Sequence, residues 1–265
     1  MVATFDMRHL GGAFDIIGDV HGCADELETL LDRLGHGVTW RSASGDRVAE
    51  VRIAPGRRLV FVGDLTDRGP RAPDSLRIVM AALRTGFGFC VPGNHDDKFR
   101  RWLKGNDVTL THGLDVTVSQ MRAETDAFHN EARAFIEGLP PYLWLDGGRL
   151  LVAHAGIKAP MIGHASDGVR RFCLFGDTDG KTDQNGLAIR YDWAARYDGK
   201  PRVVYGHTPV PEPAEKNNTA CIDTGCCFGG ALTALRYPEM QYVTVPARAT
   251  YASRARPFGL PPPRP

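Results

Sequence analysis

The sequence has no long uninterrupted apolar run, so no membrane-spanning helix is expected. Met1 to Leu10 contain no apolar h-region, and no signal peptide is expected either. Neither sign of charge is in excess: 32 Lys and Arg against 31 Asp and Glu leave a formal net charge of +1 over 265 residues. Such a chain has no overall field for wrapping long nucleic acid, although a small phosphate site is still allowed. No C-x-x-C pair occurs among Cys23, Cys90, Cys173, Cys221, Cys226 and Cys227, so no thiolate zinc framework is visible. Cys90 lies in an apolar run and reads as a buried thiol. The neighbours Cys226 and Cys227 read as reduced packing thiols, with redox activity as the lesser alternative. This usage fits a reducing, cytoplasmic compartment. There is no G-x-x-x-x-G-K-[ST] phosphate loop, no internal repeat and no linker between domains.

What is there is an alternation of apolar runs and amphipathic stretches. Residues 1–13 read as a loose lead-in. Phe14-Asp15-Ile16-Ile17 reads as a buried strand that ends in Gly18-Asp19-Val20-His21-Gly22. Leu27, Leu30, Leu31 and Leu34 follow at helical spacing, with Gly35 where a C-cap belongs. Residues 36–58 are polar and glycine-broken, with Val48, Val51 and Ile53 fit for a hairpin. Leu59-Val60-Phe61-Val62 delivers Gly63-Asp64-Leu65-Thr66-Asp67-Arg68-Gly69. After a second helix around Leu76, Val79, Met80 and Leu83, the run 87–91 delivers Gly93-Asn94-His95-Asp96. This alternation predicts parallel βαβ units, whose ligands gather beyond the carboxyl ends of the strands.

Residues 97–140 interrupt the pattern. They read as a helical insertion beside the site: a short helix near Trp102, then a longer one from about Val116 to Ile136. It is either a cap or ordinary packing against the sheet. Two further strands end in His154-Ala155-Gly156 and in Gly206-His207-Thr208. Residues 220–223, 231–235 and 242–245 read as an antiparallel set closing a second sheet. The tail from Arg248 is rich in Pro, Arg and Ala, has no periodicity, and is expected to be disordered.

Five strand ends thus carry Asp19 with His21, Asp64, Asn94 with His95, His154, and His207. Carboxylate, imidazole and amide oxygen together suit a first-row dication such as Mn, Fe or Zn, with Ni also admitted. Each residue alone has a plainer reading: Asp19 as a helix cap, Asn94 in a turn, His154 or His207 as a hydrogen-bonded core histidine. Together they are too many for one four-coordinate zinc and about right for two metals sharing a carboxylate, roughly 3.5–4 Å apart. A hydroxide between such ions would attack phosphorus in line. Arg68 would neutralise phosphate oxygens, and His95, held by Asp67, would protonate the leaving oxygen.

The segments GDVHG (18–22), GDLTDRG (63–69), GNHD (93–96), VAHAG (152–156) and GHT (206–208) resemble the calcineurin-like metallophosphoesterases, in the phosphoprotein-phosphatase branch. The resemblance implies an α/β fold, a two-sheet β-sandwich flanked by helices, over residues 14–247. It implies Asp19 and His21 on one metal, Asn94, His154 and His207 on the other, and Asp64 bridging. A likeness extending over most of 14–247 is to the phosphatase module of bacterial polynucleotide kinase-phosphatase. It implies a 2′/3′-phosphatase acting on nucleotides or polynucleotide ends, as in RNA repair, and adds Asp223 behind the ligands. Compact relatives with the same motifs hydrolyse dinucleoside polyphosphates, which is the alternative reading. Protein Ser/Thr phosphatases fit less well, since they carry Glu where Asp96 stands and His-Gly-Gly where His154-Ala155-Gly156 stands. A binding module merely scaffolded by metals is the most distant reading.

Overall fold

A computed structural model describes residues 4–43, 46–184, 187–254 and 256–262. The chain begins with β1 (Ala13–Ile17), α1 (Ala24–Arg33), the hairpin β2 (Gly37–Ala43) and β3 (Asp46–Arg52), β4 (Arg57–Phe61), α2 (Ala72–Arg84) and β5 (Gly88–Cys90). Three helices follow, α3 (Asn94–Leu103), α4 (Leu114–Met121) and α5 (Asp126–Gly138), then β6 (Leu143–Leu145) and β7 (Leu150–Val152). The last third holds α6 (Asp167–Phe175), the hairpin β8 (Asp177–Thr182) and β9 (Ala188–Tyr191), β10 (Arg202–Tyr205), β11 (Ala214–Lys216), β12 (Thr219–Cys221), β13 (Ala231–Tyr237) and β14 (Gln241–Pro246).

Two five-stranded sheets form, in the orders β14-β13-β1-β4-β5 and β11-β12-β10-β7-β6. β1, β4 and β5 run parallel in one, and β7, β10 and β12 in the other. Their strands are apolar on both faces, as parallel strands covered on both sides must be. Phe14, Ile16, Val60 and Val62 meet Leu150, Val152, Val204 and Ile222 between the sheets. Ile17, Leu59 and Phe61 point the other way, into a core closed by α1, α2, α4 and α5. The outer face of the second sheet is covered by α6 and by the turn Trp193–Arg196, through Phe172, Trp193 and Tyr197. This is the two-sheet sandwich flanked by helices that the motifs implied. No helix among the described residues is long and apolar enough to cross a membrane.

Four details differ from the sequence reading. The helix expected over 116–136 is two, α4 and α5. Thr125 ends the run by capping α5, its Oγ1 accepting from the Phe128 N–H at 3.2 Å. Leu114, Val118, Met121, Phe128, Ala132 and Ile136 are all in the helix-side core, so this segment is a wall beside the site and not a flap over it. The strands at 219–246 do not form one antiparallel set. β12 lies parallel to β10, while β13 and β14 join β1 in the other sheet, because the chain crosses between sheets at 222–230. Periodicity gives a strand's faces and not its partner.

The described parts of both ends are also bound down. Residues 4–12 run beside β6, with the Trp144 N–H donating to Phe5 O at 2.8 Å and the Met7 N–H to Trp144 O at 2.9 Å. The tail expected to be disordered crosses from α1 to the β8–β9 hairpin. The N–H groups of Tyr251 and Ala252 donate to Cys227 O, and Gly259 N–H donates to Pro209 O. Such a strap is held by point contacts, so it leaves no periodic signature. All six cysteines are buried and free.

The position of β4 between its neighbours generates one expectation. Phe61 is fully buried on the helix side. Phe61→Ala should cost about 3–5 kcal/mol of unfolding free energy in urea titration. A loss under about 1 kcal/mol would contradict this packing.

Candidate active site

All the parallel strands end at one edge of the sandwich, and every residue singled out above lies just past such an end. Asp19 and His21 follow β1. Asp64, Asp67 and Arg68 follow β4, and Asn94 and His95 open α3 after β5. His154 follows β7, His207 follows β10 and Asp223 follows β12. The loops are forced into close contact there. Among the described residues, nine that are not glycine have positive φ, and five of them are His21, Asp64, Asp67, Arg68 and His207. Such strain persists only where surrounding contacts over-determine it, and it gathers at functional sites. Two glycines make room: a Cβ on Gly93 would lie 2.0 Å from Asp64 Oδ1, and one on Gly206 would lie 1.8 Å from Asp19 Oδ1.

The tautomers follow from the hydrogen bonds. Nδ1 of His21 is 2.9 Å from Thr66 O, and Nδ1 of His154 is 3.0 Å from Val62 O. A carbonyl only accepts, so each Nδ1 carries the proton and each Nε2 presents a lone pair, met by Arg68 Nη1 at 2.6 Å on His21 and by His207 Nδ1 at 3.0 Å on His154. Those lone pairs face the two oxygens of one carboxylate. His21 Nε2 is 3.4 Å from Asp64 Oδ2, and His154 Nε2 is 3.5 Å from Asp64 Oδ1. Acceptors facing acceptors call for cations between them.

Two groups could hold an ion, His21-Asp64-His95 and Asp64-His154-His207. Within each, the donor atoms lie within 4.8 Å of one another, and Asp64 is common to both. Asn94 Oδ1 is 3.1 Å from His154 Nε2, on the second group. Asp19 Oδ2 accepts the His207 N–H at 2.9 Å. Asp19 Oδ1 and His207 Nε2 are buried side-chain atoms with no hydrogen-bond partner. Orphaned acceptors at this position are what a cation site requires. Asp223 is buried beside them, its Oδ1 accepting the Gly225 N–H at 3.0 Å.

His95 Nδ1 is 2.6 Å from Asp67 Oδ2. Thr117 of α4 holds that carboxylate, its hydroxyl donating to Asp67 Oδ1 at 2.8 Å and accepting the Asp67 N–H at 2.8 Å. Arg68 spans the two histidines of this side, with Nη1 2.6 Å from His21 Nε2 and Nη2 2.8 Å from His95 Nε2. The Phe228 ring lies under its guanidinium, 4.9 Å from the ring centroid.

Burial dominates the electrostatics. It pushes Asp64 and Asp223 up to about 6, Asp96 to about 7 and Asp67 to about 8. Asp19 is raised well above the carboxylate range by burial and by Asp223 and Asp64. Burial also holds His21, His95 and His207 well below their ordinary value, and His154 down at about 3. Neutral imidazoles beside crowded carboxylates are the protonation pattern of a site that stabilises a cation.

Three participants were not legible in the sequence. Arg190, on β9, donates from Nη1 to His207 O at 3.2 Å, and burial and the neighbouring Arg256 hold its guanidinium down at about 10. It lies in a polar region without periodicity, where one arginine carries no signal. Thr117 and Phe228 reach the site only through tertiary packing.

The model of one family, the calcineurin-like phosphoesterases, matches residues 13–244. The bis(5'-nucleosyl)-tetraphosphatase PrpE [asymmetrical] of Bacillus subtilis strain 168 is 46% identical over 251 residues, covering 93% of this chain and 100% of the relative. The protein of the same name from Geobacillus thermodenitrificans is 46% identical over 238 residues, covering 88% of this chain and 94% of its own. A crystal structure of a provisionally named diadenosine tetraphosphatase superposes with a TM-score of 0.64 at 23% identity, covering 93% and 99% of the two chains. A Saccharomyces cerevisiae serine/threonine phosphatase shares the fold at a TM-score of 0.60 and 16% identity, over 94% and 84%.

The raised carboxylates fix a pH dependence. A raised acid contributes stability at low pH and loses it as pH rises through its folded value, and the depressed histidines act oppositely, below their ordinary 6.5. Above pH 6.5 only the carboxylates still titrate, up to about 8. The melting temperature of the chelated protein should therefore fall across that window, and saturating Mn²⁺ should remove the fall. A chelated protein with a flat profile there would contradict the charge assignment.

Proposed function

Because the chain belongs to the calcineurin-like phosphoesterase family, a family of metal-dependent hydrolases, we propose that it is a two-metal enzyme that cleaves the phosphoanhydride chain of dinucleoside polyphosphates. One observation carries the choice of substrate: 46% identity over the whole length of a bis(5'-nucleosyl)-tetraphosphatase. The sequence reading put 2′/3′-terminal phosphates first and this substrate second, and the relatives favour the second. RNA repair finds no support among them. On this proposal a tetraphosphate chain is cut asymmetrically. Water attacks the phosphorus next to one nucleoside, and the products are a nucleoside monophosphate and a nucleoside triphosphate. A cytoplasmic setting, consistent with six free thiols, belongs to the same proposal.

Asp19, His21 and Asp64 would hold one ion, and Asp64, Asn94, His154 and His207 the other, with Asp223 behind them. The donor set suits Mn, with Fe, Zn or Ni admissible. When bound, such ions supply charge neutralisation and acidify coordinated water.

The remaining roles belong to the chain's own groups. His21 Nε2 has one lone pair, and it cannot both accept from Arg68 and bind a cation. Loading the site therefore frees the Arg68 guanidinium, whose planar fork matches two phosphoryl oxygens. Arg190 donates to the His207 carbonyl while Arg68 spans His21 and His95, so two guanidinium groups border the histidine cluster. That arrangement suits a substrate with charge on several successive phosphates better than one terminal monoester. Once Arg68 has moved to phosphate, His95 Nε2 is free to take up a proton, the imidazolium being held through Nδ1 by Asp67, and to pass that proton to the leaving oxygen. Thr117 keeps Asp67 in register.

Two measurements test this. At one Mn²⁺ concentration, kcat/KM for a dinucleoside tetraphosphate should exceed that for a 3′-phosphorylated oligonucleotide and for a phosphoserine peptide by about a hundredfold. Parity with the oligonucleotide would restore the terminal-phosphate reading. A polyphosphate is a good leaving group and needs little protonation. His95→Ala should therefore cost an alkyl phosphate ester at least about tenfold more than the tetraphosphate. Equal losses would make His95 a structural residue.

A further inference from the structure

The family match ends at residue 244, so it leaves the strap from Arg248 to Pro262 without a role. The strap touches the backing of both guanidinium groups. At its start, the Arg248 N–H and the Tyr251 hydroxyl donate to Glu26 Oε1 at 2.8 and 2.7 Å. The N–H groups of Tyr251 and Ala252 both donate to Cys227 O at 3.0 Å, and Thr250 bridges to Phe228, the ring beneath Arg68. Further along, Phe258 packs so close to Gly225 that a Cβ there would meet its ring at 2.6 Å. On either side of Phe258 the strap grips the hairpin that carries Arg190 and the residue after it. Arg256 Nε donates to Asp183 Oδ2 at 3.0 Å, and its Nη2 donates to the carbonyls of Leu187 and Ala188 at 3.1 Å each. Pro262 O accepts the Asp192 N–H at 2.8 Å, and Leu260 and Pro261 wall a small hollow shared with Arg190 and His207.

We propose that residues 248–254 and 256–262 are a positioning strap that sets the distance between Arg68 and Arg190, with the Arg256–Asp183 ion pair as its latch. The inference rests on the reading above that these two arginines grip phosphate. Arg68 stands on the Phe228 loop, and Arg190 stands on a hairpin that belongs to neither main sheet. Arg190 is tied to the His207 carbonyl, and the strap adds a second tie by bonding both the Phe228 loop and the β8–β9 hairpin. Arg256 is a positioning residue that acts through the β8–β9 hairpin and needs no contact with the substrate. The consequence falls on ground-state binding of phosphate oxygens, with the histidine cluster and the acid pair untouched.

The test uses the full chain loaded with Mn²⁺, an aryl phosphate as substrate and inorganic phosphate as competitive inhibitor. Arg256→Ala should raise KM and the inhibition constant of phosphate together by about fivefold while kcat holds, the size expected when one partly exposed ion pair is lost. Arg256→Lys, which keeps the charge and the donors, should restore most of both values. The strap is overturned if Arg256→Ala leaves both constants unchanged, if kcat falls while KM holds, or if Arg256→Lys behaves like Arg256→Ala. The underlying reading is separated by Arg190→Ala. An unchanged inhibition constant in that variant removes the phosphate grip itself. A raised constant there beside an unaffected Arg256→Ala removes the strap alone.

Discussion

The carboxylate of Asp64 is the constraint to which the rest of the site conforms. Its two oxygens face the Nε2 lone pairs of His21 and His154, acceptor against acceptor, with the Arg68 guanidinium reaching the His21 nitrogen at 2.6 Å. Its main chain binds the loops together as well. Asp64 O accepts the N–H groups of Val20 and His21, and Asp64 Oδ1 accepts the N–H of His95. One residue thus joins the ends of three parallel strands while its carboxyl, pushed up to about 6 by burial, is offset only in part by Arg68 and Arg190. A scaffold that buries such a carboxylate loses stability, and binding a cation recovers it.

The backbone around Asp64 shows what this arrangement demands. His21, Asp64, Asp67, Arg68 and His207 all have left-handed φ, a region costly for residues with a Cβ. The strain is tolerable because the loops are over-determined. Asp96 clamps the Leu65 and Gly93 N–H groups with its two oxygens, each at 2.9 Å. Gly93 and Gly206 let the neighbouring loops approach to distances that no Cβ would allow. The rigid sandwich beneath supplies the rest, since the strands entering these loops are buried on both faces. Donor atoms are therefore placed by the core, and not by the loops' own preferences.

Around this centre, His95 is bonded to Asp67, and Thr117 of α4 holds the Asp67 carboxylate from a helix that packs into the core. Arg68 rests on two imidazoles and on the Phe228 ring, so its position answers to the charge state of the site. Arg190 lies on a hairpin and bonds the His207 carbonyl, and Arg256 bonds the same hairpin.

The sequence by itself marked the family and the strand ends at which ligand-type side chains gather. Short apolar runs followed by small residues and a ligand-type side chain are a local pattern, and each of the nucleus residues Asp19, His21, Asp64, Asn94, His95, His154 and His207 sat at the end of such a run. Buried parallel strands carry their sites at their carboxyl ends, so the run and the ligand are read together. Only the tertiary structure decided the rest. Which sheet β12, β13 and β14 join depends on pairing across the molecule, and alternation within one strand does not encode it. Thr117 lies 50 residues from Asp67, and Arg190 meets His207 O across a loop, so neither leaves a local trace. The strap is the clearest case. Its composition resembles that of a disordered tail, and it is ordered by contacts with Glu26, Cys227 and Asp183, which lie on three separate elements and meet only after the sandwich has closed.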